Sequence, residues 1–269
     1  MRKEGYCAFG ARRAVDAVEA WQAQLEHLDA SDLSALEGAL EAAHRLQTCL
    51  TLFRACYPKT RVALWKRRLR RLIRALHILR DDRRLIRQLE TLEPSPEHQT
   101  GVQRALLRLR QRIETHTQTL QQAWRLWQAS RAPNEIRGLA KRWLESFSNE
   151  PPDMAYAQRQ WMLFQREQAS ALETDTKQSL EVRCGRLRSL LEGATILQPL
   201  GIEQTDLQTA HSRLCELEAQ RFQQYAQGVL EAIAKNEREQ MLRYAGNLRG
   251  YARIRKGIEW ASQQVGALF

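Results

Sequence analysis

Glycine and proline are scarce in this chain, 13 and 7 among 269 residues. Both punctuate regular structure, so the shortage leaves few turns and favours long elements joined by short loops. Strand patterning is missing as well. β-branched residues are thinly spread, and no stretch alternates apolar and polar residues for long enough to form a strand. No apolar run reaches transmembrane length, so no membrane insertion is expected. The start, Met1-Arg2-Lys3-Glu4, is basic but no apolar segment follows, which argues against a secretory signal. The five cysteines (Cys7, Cys49, Cys56, Cys184 and Cys215) are odd in number, widely spaced and without a CxxC pair. They are expected to be reduced and mostly buried, in a cytoplasmic protein.

The motifs of common catalytic chemistry are also absent: there is no Gly-rich phosphate loop, no HExxH and no paired CxxC. Glu41-x-x-His44 has the spacing used in di-metal helix bundles. Such a site needs two copies with further carboxylates, and only one copy occurs. The six histidines do not cluster in sequence. No metal, no cofactor and no catalytic residue is therefore expected, and the protein is expected not to be an enzyme.

What the chain does have is helix formers, with Leu, Ala, Arg, Gln and Glu the commonest types. Apolar residues make up 43% of the sequence, enough at this length for one large core or two smaller ones. Lys and Arg total 42 against 31 Asp and Glu, a formal charge of +11. Only 7 of the 42 are Lys; 35 are Arg. Guanidinium is always charged and grips phosphate or carboxylate with two parallel hydrogen bonds, so the imbalance points toward anionic partners.

Helix punctuation predicts a first helix from Ala11 to His27. A second, capped by Ser31 or Asp32, runs to Tyr57 before Pro58, and a third runs from Thr60 to Leu92. A fourth follows from His98 to Ser130, then a shorter one after Pro133-Asn134 as far as Phe147. Ser148-Asn149-Glu150-Pro151-Pro152-Asp153 is the candidate domain boundary, because adjacent prolines exclude helix continuation. Beyond it, helices are predicted over Tyr156–Thr174, Lys177–Leu197, Thr205–Ala234 and Asn236–Gln264. The resulting fold class is all-α, with two antiparallel bundles of four or five long helices over residues 1–148 and 153–269.

The third helix carries the functional pattern. Trp65, Leu69, Leu72, Leu76, Leu79 and Ile86 recur at steps of three and four, forming a seam toward a core. Arg67, Arg70, Arg71 and Arg74 fall on the opposite arc within about 10 Å of helix length. Their mutual repulsion would be relieved by a polyanion. Farther on, Arg80, Arg83, Arg84 and Arg87 are interrupted by Asp81 and Asp82, which can pair with them locally. Arg183 with Arg186, and Arg249 with Arg253 and Lys256 on the last helix, form smaller stripes. Trp124 with Trp127, and Trp143 with Phe147, have the spacing of core pairs rather than of base-stacking platforms.

Leu64-Trp65-Lys66-Arg67-Arg68-Leu69-Arg70-Arg71-Leu72-Ile73-Arg74-Ala75-Leu76-His77-Ile78-Leu79-Arg80-Asp81 resembles the basic helix of the CHAD (conserved histidine α-helical domain) family. Leu50-Thr51-Leu52-Phe53-Arg54 is similar to the end of its first signature helix. Leu180 to Glu192, with Arg183, Arg186 and Arg188, is similar to its second. The resemblance implies a two-bundle fold that binds inorganic polyphosphate through basic side chains. Registered on Phe53, the name-giving histidine falls at Glu37, and expected arginines fall at Leu40, His44 and Gln47, while Arg45 is kept. In the second signature Glu181 and Gly185 replace basic residues. Together with the helix faces, the resemblance implies a polyanion-binding set of Arg45, Lys66, Arg67, Arg70, Arg71, Arg74, Arg80, Arg183, Arg186, Arg188, Arg249 and Arg253. Arg183, Arg186 and Arg188 would complete a cleft between the two bundles. The competing readings are a helical scaffold that has lost polyphosphate and docks a protein partner, and binding to the nucleic-acid backbone through the same faces.

Overall fold

Caps and prolines set the helix ends. In the computed structural model, which describes residues 3–169, 178–202 and 207–267, every regular element among the described residues is helical. The α-helices are α1 (Glu4–Glu26), α2 (Leu33–Leu52), α3 (Lys59–Glu90), α4 (Pro96–Ala129), α5 (Ala132–Phe147), α6 (Met154–Ala169), α7 (Leu180–Leu197), α8 (Leu207–Ala245) and α9 (Tyr251–Ala267). No helix among the described residues is long and apolar enough to cross a membrane. Asp32, not Ser31, caps α2, its carboxylate accepting from the Ser34 N–H at 2.9 Å. The expected end of one helix at Thr174 and the starts at Lys177 and Thr205 lie outside the described residues.

Three helix boundaries differ from expectation, each for a physical reason. The first helix begins at Glu4 rather than Ala11, because Tyr6, Cys7 and Ala8 are buried and belong to its packed face. The second ends at Leu52 and gives way to a 3-10 turn, Arg54–Cys56. Tyr57 is extended, as the residue before a proline prefers. The break expected near Ala234 instead falls after Ala245, because Ala234-Lys235-Asn236 holds no helix breaker. Gly246 and Gly250 supply the positive φ values, +64° and +83°, that the turn requires.

The chain separates into two compact units, residues 1–76 with 120–217, and residues 77–119 with 218–269. Neither is continuous in sequence, because α3, α4 and α8 each contribute a part to both. The boundary expected at Ser148–Asp153 lies inside the first unit. A Cβ at Gly5 of α1 would collide with the Pro151 and Glu150 carbonyls, so this diproline segment is packed against a helix rather than acting as a free linker.

In the first unit the core is aromatic. Trp21, Trp65, Trp127, Tyr6 and Phe53 are fully buried, Trp21 meets Trp124 edge-on, and the Trp143 indole donates to the Cys56 carbonyl at 2.9 Å. The predicted seam from Trp65 through Leu79 is buried throughout. In the second unit α4 and α9 cross so closely that a Cβ on Gly101 or Gly257 would strike backbone of the other helix. Gly257→Ala is expected to lower stability by about 1–3 kcal/mol through this overpacking, read as a fall in the urea midpoint.

The cysteines correct an expectation. Cys7 on α1 and Cys56 in the 3-10 turn are joined in a disulfide, with Cα atoms 5.3 Å apart. They are 49 positions apart, and helix packing alone brings them together. Cys49 and Cys184 are free and buried, and Cys215 is free and exposed. Burial is the main cause that pushes the Cys49 thiol up to about 12. Alkylation of the native, unreduced protein at pH 8 should therefore modify Cys215 well before Cys49. After unfolding without reductant, titration should count the three free thiols.

Candidate polyanion-binding site

Arginine has no acceptor and does not lose its charge, so the acids around each guanidinium decide its availability. On α3, Arg67, Arg70, Arg71 and Arg74 are all exposed, and none makes an ion pair among the described residues. No Asp or Glu occurs between Lys59 and Arg80 on this helix, so no local carboxylate can neutralise them. Lys66 stands beside this face, half-buried. Burial lowers its pKa first, then the charges of Arg70 and Arg54, against a raising effect from Glu167. An anion bound there would favour the charged amine, which is the sense required of a phosphate site.

Arg54 was not among the expected site residues. It joins this cluster from the 3-10 turn, and its guanidinium holds the Glu167 carboxylate of α6 through both terminal nitrogens. The sequence signal was its place beside Phe53, at the end of the first signature helix. Nearby, Arg61 pairs with Glu135 at 3.0 Å while the Trp65 indole donates to the other oxygen of that acid. Arg68 donates to the Ser130 carbonyl at 3.5 Å.

Other predicted site residues are placed differently. Arg45 is half-exposed but bound to Glu192 at 3.2 Å, with Glu41 at 3.5 Å. Arg188 donates to Nε2 of buried His44 at 2.7 Å, which requires a neutral imidazole with its proton on Nδ1. Glu41 and His44 thus engage Arg45 and Arg188. Arg183 is buried on the inner face of α7, and only Arg186 of that pair is partly exposed. The three arginines of α7 lie within the first unit, where α7 packs on α2, and not in a cleft between sequence halves. Arg253 is exposed on α9, but Arg249 is in the turn before it, its N–H bonded to the Asn247 side chain, so the expected helical stripe does not form.

Arg80 is a correction of a different kind. It is buried, with Nε and Nη2 on Asp81 Oδ1 at 3.1 and 2.8 Å. Arg221 of α8 grips the same carboxylate with two bonds of 2.6 and 3.0 Å. Asp82 is fully buried and accepts from the Tyr225 hydroxyl at 2.6 Å, with His116 Nδ1 at 2.7 Å. Burial and then the Asp82 charge push the Tyr225 phenol far up. The acid pair is therefore a structural anchor. Asp81→Ala would take the shared carboxylate from buried Arg80 and from Arg221, and should cost about 3–5 kcal/mol in a urea melt. Arg67→Ala, on the exposed face, should leave the midpoint nearly unchanged.

The family model of the CHAD domain matches residues 12–169. No curated protein and no solved structure gives a significant match. The matched span includes α2, α3 and the Arg54 turn, whereas the Leu180–Glu192 segment lies beyond it. With more than half of its length matched and an all-helical fold that agrees, the chain belongs to the CHAD domain family.

Proposed function

We propose that the protein is a non-enzymatic polyanion-binding module whose ligand is inorganic polyphosphate, held on the exposed face of α3 by Arg67, Arg70, Arg71 and Arg74. Membership of a family associated with polyphosphate supports this reading. The observation that carries it is the contrast among the arginines: these four are exposed and unmatched by acids, while Arg45 and Arg80 are engaged by carboxylates. Lys66 and Arg54 extend the face. A flexible phosphate chain laid along it would exchange condensed counterions for guanidinium contacts, so affinity should fall steeply with salt.

A protein-docking role, the second reading, has its own observation. Met162 and Leu163 of α6 are exposed and border a shallow hollow of about 490 Å³, flanked by Arg159 and Arg166. The two cations suit an acidic amphipathic helix as the partner.

A salt titration with long-chain polyphosphate decides the first reading. Replacing Arg67, Arg70, Arg71 and Arg74 together by Ala should flatten the slope of log affinity against log salt by about 2 to 3, at about 0.7 per lost contact on a flexible chain. Equal slopes in the two proteins would exclude this face. Competition with DNA and RNA at equal phosphate concentration separates polyphosphate from nucleic-acid backbone. Absence of polyphosphate binding at low salt would favour the docking role.

A further inference from the structure

In the second unit a groove of about 310 Å³ opens between α4 and α8, remote in sequence from the arginine face of α3. Arg108, Gln111, Arg112 and Thr115 line it from α4, at the i, i+3, i+4, i+7 positions of one helix face. Asn236 and Gln240 line it from α8.

The hydrogen bonding of this groove is one-sided. Arg108 is the anchor. Its Nε binds the buried Glu237 carboxylate, Nη1 donates to Gln111 Oε1 at 2.9 Å, and Nη2 donates to Gln240 Oε1. Each glutamine amide thus has its acceptor engaged by Arg108, and the NH2 groups of these two lining residues are donors with no partner among the described residues. Arg112 adds a guanidinium whose Nε is buried without a partner. Its contacts through Nη2 are long, 3.5 Å to the Tyr225 hydroxyl and 3.6 Å to Asp82. The acids nearby are already served. Asp82 has Tyr225 and His116, while Glu237 has Arg108, with Arg104 at 3.9 Å. The Thr115 hydroxyl makes only a 3.5 Å bond, to the Gln111 carbonyl.

We propose that this groove binds a terminal phosphate group, either free orthophosphate or the end of a phosphate chain. Two amide NH2 groups, the Arg112 guanidinium and the Asn236 amide offer donors from both helices. Donors on two walls suit a tetrahedral oxyanion better than a planar carboxylate, for which a single guanidinium fork is enough. A terminal phosphate carries more charge and more free oxygens than an interior one. The volume lies at the low end of ligand pockets, fitting a chain end rather than a chain. The site is independent of the α3 face.

The test uses the full chain with nitrogen-15 labelling, followed through the side-chain amide signals of Gln111, Asn236 and Gln240 at low ionic strength. Orthophosphate, linear tripolyphosphate, cyclic trimetaphosphate and acetate are titrated separately. A saturable shift with orthophosphate identifies the free ion as ligand. A shift with tripolyphosphate alone identifies the chain end. Trimetaphosphate, which has no ends, and acetate should shift these signals little.

The double variant Gln111→Glu, Gln240→Glu keeps both acceptors for Arg108 and removes both donors. It should weaken binding about tenfold or more, the effect of losing charge-assisted hydrogen bonds. Asn236→Asp, at an exposed position, gives the same direction should the double variant fold poorly. The α3 variant with four Ala substitutions should bind orthophosphate or tripolyphosphate at this groove as the wild type does, so the two sites fail separately. The proposal is overturned if neither phosphate shifts the amides, if acetate or trimetaphosphate binds as well, or if the groove variants bind unchanged.

Discussion

A guanidinium cannot be neutralised at any pH a protein tolerates, and this constraint orders the whole structure. Each of the 35 arginines must be left in water or given acceptors when it is drawn inward. Arg80 and Arg221 enter the interior on Asp81, and Arg108 does so on Glu237. An aromatic ring supports one as well, Phe222 beneath the Arg84 guanidinium at 4.3 Å. The arginines left over, above all the four on the outer arc of α3, carry the net charge on their surface.

This division runs along a single helix. From Lys59 to Arg80, α3 has basic residues and no acid, and its arginines on the outer arc stay exposed. At Asp81-Asp82 the character changes, and the same helix becomes a hub of buried ion pairs joined by Tyr225 and His116. The first stretch has surplus charge available for a ligand. In the second, charge is consumed in holding helices together. The groove between α4 and α8 lies between these cases, because its anchor arginine is fully paired while its amide donors and the Arg112 Nε are not.

Much of the fold was legible from periodicity and punctuation. The Trp65–Leu79 seam is buried as its spacing requires, and Pro58 marks the step from α2 to α3. The α3 arginine face was equally legible, because 100° per residue sets it opposite that seam. Arg80 was not, since its burial depends on Arg221 sharing Asp81 from a helix 140 positions away. Arg249 was misplaced because the last break follows two glycines with positive φ rather than a proline. Gln111 and Gln240 carried no signal at all. Their amides are oriented by one arginine, Arg108, which occupies both of their acceptors.

The sequence by itself determined the helical class, the core seam of α3 and the excess of permanent positive charge. These are consequences of composition and of a period that each helix carries within itself. Tertiary structure alone decided which charges remain available, that Cys7 meets Cys56, and that both compact units are assembled from separated stretches of chain. Each of those outcomes requires two groups distant in sequence to meet, and a helical pattern fixes only which face a residue occupies, not what that face will touch.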